Sequence, residues 1–171
     1  SARAVEPALD FAEMRRRFVT WAVSEVRDSL RAADPSSALS AAVWGVYRNT
    51  LQWSGVSTGF GSVLQDARAW DRQGFLDALV PMVYWTMTPH YADCLDFAWL
   101  AVEHAGALKA PAFIGVYVPG MDGMSLARHV ERARMAGAEG VSLFSYSALE
   151  AADLWGALQT WAFFWPARRV D

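Results

Sequence analysis

The sequence predicts an α/β fold in which parallel strands alternate with helices. Three observations predict it. Short apolar runs of strand length recur without polar alternation, helical stretches closed by Gly or Pro stand between them, and the pair repeats through residues 36–165. An apolar run without alternation suits a strand covered on both faces, as parallel strands are. The repeat is close to the ~30 residues of a strand–helix–strand crossover.

From Ala8 to Ala33 the residues Phe11, Met14, Phe18, Trp21, Ala22, Val26 and Leu30 recur at three- and four-residue steps, one face of an amphipathic helix. Asp34-Pro35 ends it, since proline and the residue before it disfavour helix. Ser37–Tyr47 reads as the first strand and the Ser/Thr/Gly-rich stretch Gln52–Gly61 as a loop. Ser62–Gln73 follows as a helix closed by Gly74. The cycle then repeats: strand Leu76–Trp85, helix Tyr91–His104 with Gly106 after it, and strand Ala112–Val118 followed by Pro119-Gly120. Helix Ser125–Ala136 closed by Gly137, strand Gly140–Tyr146 and helix Ala151–Phe164 stopped by Pro166 complete the chain. Trp21, Trp99, Trp155 and Trp161 fall on helix faces, where core packing is their expected use.

Composition narrows the function classes. The 171 residues are 54% hydrophobic and 19% charged, too apolar for a disordered chain. The net charge of −3 lacks the basic excess that a nucleic-acid backbone demands. One cysteine, Cys94, excludes an intrachain disulfide framework and a cysteine-based metal cluster. No apolar run approaches the ~20 residues of a membrane span, and no charged segment followed by an apolar one opens the chain as a signal peptide would.

Four strand–helix units fit a small doubly wound sheet of the flavodoxin kind or half of a (β/α)8 barrel. A doubly wound dinucleotide fold carries a Gly-rich turn after its first strand. Here that turn is Trp44-Gly45-Val46-Tyr47-Arg48, and neither GxGxxG nor a P-loop occurs anywhere. Large aromatics stand at the strand ends instead, which suits the C-terminal mouth of a barrel.

Five blocks, in order, resemble the second half of the glycosyl-hydrolase-like family 10 barrels of bacterial envelope proteins. Met14-Arg15-Arg16-Arg17 with the helix after it is similar to the family's Trp-Arg-Arg helix that follows the fourth strand. Leu39–Gly45 resembles the fifth strand, and Leu64-Gln65-Asp66-Ala67-Arg68-Ala69-Trp70 the Gln-Asp-x-x-x-Trp segment. Gly74–Trp85 is similar to the sixth strand, whose Pro-Met/Gln-x-Tyr ending faces the sugar site, and Gly137–Tyr146 to the eighth. Met14 stands where the family often has Trp, and the acidic cluster that ends the family's fourth strand has no counterpart. The resemblance implies that residues 1–171 form a single partial domain, the C-terminal half of a (β/α)8 TIM-type barrel. Its partners would be a polysaccharide and either the missing N-terminal half or a second copy. The intact protein would be secreted or placed in the cell envelope.

Glycoside hydrolysis normally needs two carboxyl groups flanking the scissile bond. None of the four strand ends contains Asp or Glu, and the nearest acids are Asp66, Asp93, Asp122 and Glu150. Asp66 is the catalytic candidate because it lies in the family-like segment, although a carboxylate at a helix start also serves the macrodipole. Asp122 reads first as a turn or cap. The chain does offer rings for a sugar wall: Trp44, Tyr47, Tyr84, Trp85, Tyr117 and Tyr146, with Met82 beside them, at or next to strand ends. Flat rings meet the apolar face of a pyranose, while Tyr and Trp donors reach its hydroxyls. His90 could lean into the mouth from a loop, whereas His104 and His129 read as solvated or capping residues on helices. No metal motif, nucleophile elbow or cofactor signature is present, so no metal and no cofactor are expected. Arg15-Arg16-Arg17 reads as a solvated helix start, from which one Arg could orient a carboxylate of a preceding strand in an intact barrel. The expected function is therefore a share in binding and hydrolysing a bacterial envelope or extracellular polysaccharide, with catalytic acids on other strands. The alternatives are a non-catalytic carbohydrate-binding or scaffold protein, or a small flavodoxin-like α/β protein.

Overall fold

The computed structural model describes residues 10–87 and 96–163. Along the chain it has α1 (Phe11–Ala33), β1 (Ser40–Trp44), a π-helical turn (Gly59–Val63), α2 (Ala67–Arg72), β2 (Ala78–Met82) and α3 (Phe97–Ala107). There follow β3 (Phe113–Tyr117), α4 (Gly123–Met135), β4 (Gly140–Phe144), α5 (Tyr146–Ala151), α6 (Trp155–Ala157) and a closing π-helical turn (Leu158–Ala162).

Aspartates open three helices, because a carboxylate can accept the N–H groups that a first turn leaves unpaired. Asp66, Asp96 and Asp122 accept from the backbone N–H of Ala69, Trp99 and Ser125. The expected helix over Ser62–Gln73 is split. Leu64 takes a left-handed conformation with φ 63° that ends the π-helical turn, and Asp66 starts α2 afresh. The expected helix over Ala151–Phe164 begins only at Trp155, after Asp153 at φ 49°, and Tyr146, expected to end the fourth strand, opens the short helix α5 instead. His90, Asp93, Cys94 and the expected start of the helix at Tyr91 lie outside the described residues.

All four strands run parallel in sequential order. β1 pairs with β2 from Ser40↔Ala78 to Trp44↔Met82, and β3 with β4 from Phe113↔Gly140 to Tyr117↔Phe144. A parallel bridge between Leu79 and Ala112 joins the two pairs, with Leu79 N–H donating to Pro111 O at 3.0 Å. Each strand is five residues long, shorter than its apolar run predicts, because the flanking residues leave the ladder.

The core lies on one face of the sheet. Val43 and Leu79 pack with Trp70 of α2 and with Val19 and Val23 of α1. Ile114, Val116 and Val118 pack with Phe97 and Leu100 of α3 and Leu126 and Val130 of α4. Burial of each such side chain contributes roughly 1.5–3 kcal/mol. Polar ties fix the helices: Trp70 Nε1–H donates to Thr20 Oγ1 at 2.9 Å, and the Asp71 carboxylate accepts the N–H groups of Lys109 and Ala110. A doubly wound sheet carries helices on both faces and crosses its strand order. Sequential parallel strands with helices on one face are instead consistent with a fragment of a barrel.

Two expectations about packing are corrected. α1 meets the sheet through Val19 and Val23, while the stripe Phe11, Met14, Phe18 and Trp21 is 40–67% exposed. Among the described residues neither core cluster takes in that stripe. Trp155 and Trp161, expected in the core, are 38% and 55% exposed. His104 and His129, expected to be solvated or capping, are both buried. No described helix is long and apolar enough to cross a membrane.

Candidate functional site

Strand alternation decides which residues can meet a ligand. Successive side chains point to opposite faces, so the helix-covered positions Val43, Leu79, Pro81, Ile114, Val116 and Leu143 leave their neighbours to the other, open face. That face carries Ala42 and Trp44 on β1, Val80 and Met82 on β2, Gly115 and Tyr117 on β3, and Ser142 and Phe144 on β4. Tyr84 continues the phase of Val80 and Met82 beyond the end of β2.

At the C-terminal ends of the strands three rings form a cluster. Tyr84 lies 5.6 Å from Tyr117 and 5.6 Å from Phe144 between centroids, and Tyr117 stacks on Phe144 at 6.2 Å with 17° between planes. They are 36%, 44% and 51% exposed. Gly115 makes room for the cluster: a Cβ there would stand 2.8 Å from Pro81 O and 3.3 Å from the Tyr84 ring. Partial burial pushes the Tyr84 hydroxyl above its usual range, which keeps it a neutral donor. Tyr146, exposed at the start of α5, lies 5.6 Å from Trp155, whose indole N–H donates to Glu150.

The other proposed wall residues are placed differently. Trp44 is half-buried and its indole N–H donates to Ser57 O at 2.8 Å, so the loop after β1 holds its edge. Trp85 packs into the main core and against Gly45, where a Cβ would come within 2.6 Å of its ring. Tyr47 is buried and its hydroxyl donates to Asp66 Oδ1 at 2.8 Å. Burial and the Asp66 carboxylate together push the Tyr47 hydroxyl up. Asp66 spends the same oxygen on Ala69 N–H, so its visible work is to cap α2 and hold Tyr47. Asp122 caps α4, and the bonds from Ser125 keep its carboxyl below its usual value.

Sequence reasoning did not single out Phe144 as a wall ring. The signal was in the alternation, which puts Phe144 two residues from Ser142 on the open face. It also missed a network behind β1. His104 Nε2–H donates to Gly45 O at 2.7 Å, and Arg68 pairs with Glu103 while stacking on Tyr47 with its guanidinium carbon 4.5 Å from the ring centre. Burial raises the Glu103 carboxyl, against the pull of Arg68.

Among the described residues no three His, Cys, Asp or Glu side chains converge to hold a metal ion. None of the four strands contributes a carboxylate to the open face. What the arrangement offers is apolar ring area edged by phenolic donors, a surface suited to the C–H faces and hydroxyls of a sugar.

No curated protein is a significant match to the chain. A family model described as glycosyl hydrolase-like 10 matches residues 2–129, which takes in α1, β1, β2, β3 and the first half of α4. That match covers well over half of the sequence, and the chain belongs to the glycosyl hydrolase-like 10 family.

Proposed function

We propose that the chain supplies sugar-contacting wall to a (β/α)8 glycoside-hydrolase-like domain that binds and hydrolyses a bacterial envelope or extracellular polysaccharide. The observation supporting this is the ring cluster Tyr84, Tyr117 and Phe144 on the open face at the strand C-terminal ends, in a chain of a glycosyl hydrolase-like family. A barrel's ligand site is built at that end. The rings take the C–H face of a pyranose, Met82 shapes the floor behind them, and the tyrosine hydroxyls bond sugar hydroxyls. Trp44 borders the floor, Tyr146 extends the surface, and Trp85, Tyr47 and Asp66 act by positioning the loops around it. Hydrolysis requires an acid and a base or nucleophile, which this reading draws from strands beyond these four. A polysaccharide substrate places the intact protein outside the cytoplasm, in the envelope or secreted.

A non-catalytic binding or scaffold protein is the second reading, favoured by the lack of a carboxylate on the four strands. Affinity electrophoresis of the intact protein through gels loaded with bacterial envelope and extracellular polysaccharides tests binding, and release of reducing ends tests hydrolysis. Tyr84→Ala is expected to weaken retardation about ten-fold or more, the scale of one lost aromatic contact, with little change in melting temperature. A large fall in melting temperature with unchanged retardation would place Tyr84 in the core and end the proposal. Retardation without reducing ends would select the second reading.

A further inference from the structure

The chain immediately after β1 holds a cation that the sugar wall does not use. Gly59 and Phe60 donate their backbone N–H groups to Val46 O and Tyr47 O at 2.8 and 3.0 Å, which folds the Phe60 ring over the β1 rim. Arg16 and Arg48 both stack on that ring, with guanidinium carbons 3.7 and 3.6 Å from its centre. Two guanidiniums at that range would overlap on one face, so they occupy opposite faces. Arg16 is buried and satisfied: it pairs with Glu13, and its Nε–H donates to Phe60 O at 3.1 Å. The other charges around the rim are engaged as well, Arg68 with Glu103 and Asp66 with Tyr47 and the start of α2. Arg48 is exposed and has no ion pair among the described residues. Its guanidinium is held flat by the Phe60 ring on one side and also reaches Tyr47, 5.5 Å from that ring's centre, which leaves the rest of its fork for a ligand.

We propose that Arg48 is a subsite for the carboxylate of an acidic sugar unit, so that the polysaccharide taken by this protein is an anionic one; this rests on the glycan-binding function above. A planar guanidinium matches a carboxylate through two parallel N–H···O bonds. Stacking on Phe60 fixes the plane before the ligand arrives, which removes part of the ordering cost. Arg16, held on the far face and paired with Glu13, cannot satisfy an anion itself. A protein carboxylate from a neighbouring segment would bond the same fork, and the experiment separates the two sources.

The test titrates the full chain with glucuronate, glucose and acetate while following the arginine Nε–H signals by NMR. Glucuronate is expected to shift the Arg48 signal with saturation and to bind about ten-fold more tightly than acetate, as charge-assisted and hydroxyl contacts combine. Glucose should leave that signal in place, and the Arg16 signal should stay put throughout. Arg48→Gln should abolish the glucuronate response, and Arg48→Lys should weaken it, because an ammonium keeps the charge without the fork. Equal responses to acetate and glucuronate would mean that a bare carboxylate is all that Arg48 reads, and would overturn the acidic-sugar assignment. So would the absence of a saturable shift. Loss of this response with Tyr84-dependent retardation intact would refute the subsite alone. The converse would refute the aromatic wall and leave Arg48.

Discussion

His104 gives the fold a defined acid weakness. α3 carries this ring into the gap behind β1, where it is 3% exposed and its Nε2–H donates to Gly45 O at 2.7 Å. Burial, joined by the Arg68 charge and opposed by the Gly45 bond, pulls its pKa from 6.5 to about 4. The unfolded chain therefore takes up a proton as pH falls through 6.5, while the native state declines it until about 4. Stability from the neutral ring is complete above 6.5 and is lost progressively between 6.5 and about 4. At 1.36 kcal/mol per pH unit the full span amounts to roughly 3 kcal/mol. Glu103 works in the opposite sense, since burial raises its carboxyl and lets the native state bind a proton earlier than the unfolded one. Comparison with His104→Gln, which keeps an N–H donor for Gly45 but does not titrate, isolates the histidine. Urea unfolding of both proteins at equal concentration, from about pH 7.5 down to about pH 4.5, should show the wild type losing about 2–3 kcal/mol more than the variant. Parallel losses in the two proteins would refute the reasoning.

Two further outcomes follow from the same geometry. Asp66→Ala should lower stability by about 1 kcal/mol or somewhat more, through the lost cap and the freed Tyr47 hydroxyl, whereas Asp66→Asn keeps an acceptor and should cost less; a loss of reducing-end release in the intact protein on Asp66→Asn, at unchanged stability, would instead make the carboxylate catalytic. Among the described residues β1 and β4 each have an unpaired edge, and the α1 stripe is uncovered, so light scattering on this 171-residue chain at micromolar concentration should give more than the mass of one chain. A monomer with a cooperative melt would sink that expectation.

The sequence by itself determined the succession of elements. Apolar runs without alternation fell on the four strands, and Asp122, Gly74 and Gly137 marked helix ends where the chain turns. These are local effects: a carboxylate meets N–H groups three residues on, and a Gly adopts the positive φ that ends a helix. Sequential pairing also followed, because strand–helix units of this length return the chain beside its previous strand. Only the tertiary structure decided which face of each element is covered. The seven apolar positions of α1 mark a stripe but not its partner, and contact with Trp70 went to Val19 and Val23 on the neighbouring face. Tyr47 and Tyr84 look alike in sequence, each a Tyr just past a strand. One is buried against Asp66 and the other stands in the ring cluster, because the loop of residues 57–60 folds over the first, and the small Gly115 leaves room for the second. The Arg16–Phe60–Arg48 stack joins residues far apart along the chain. Only the pairing of Val46 and Tyr47 with Gly59 and Phe60 brings them together.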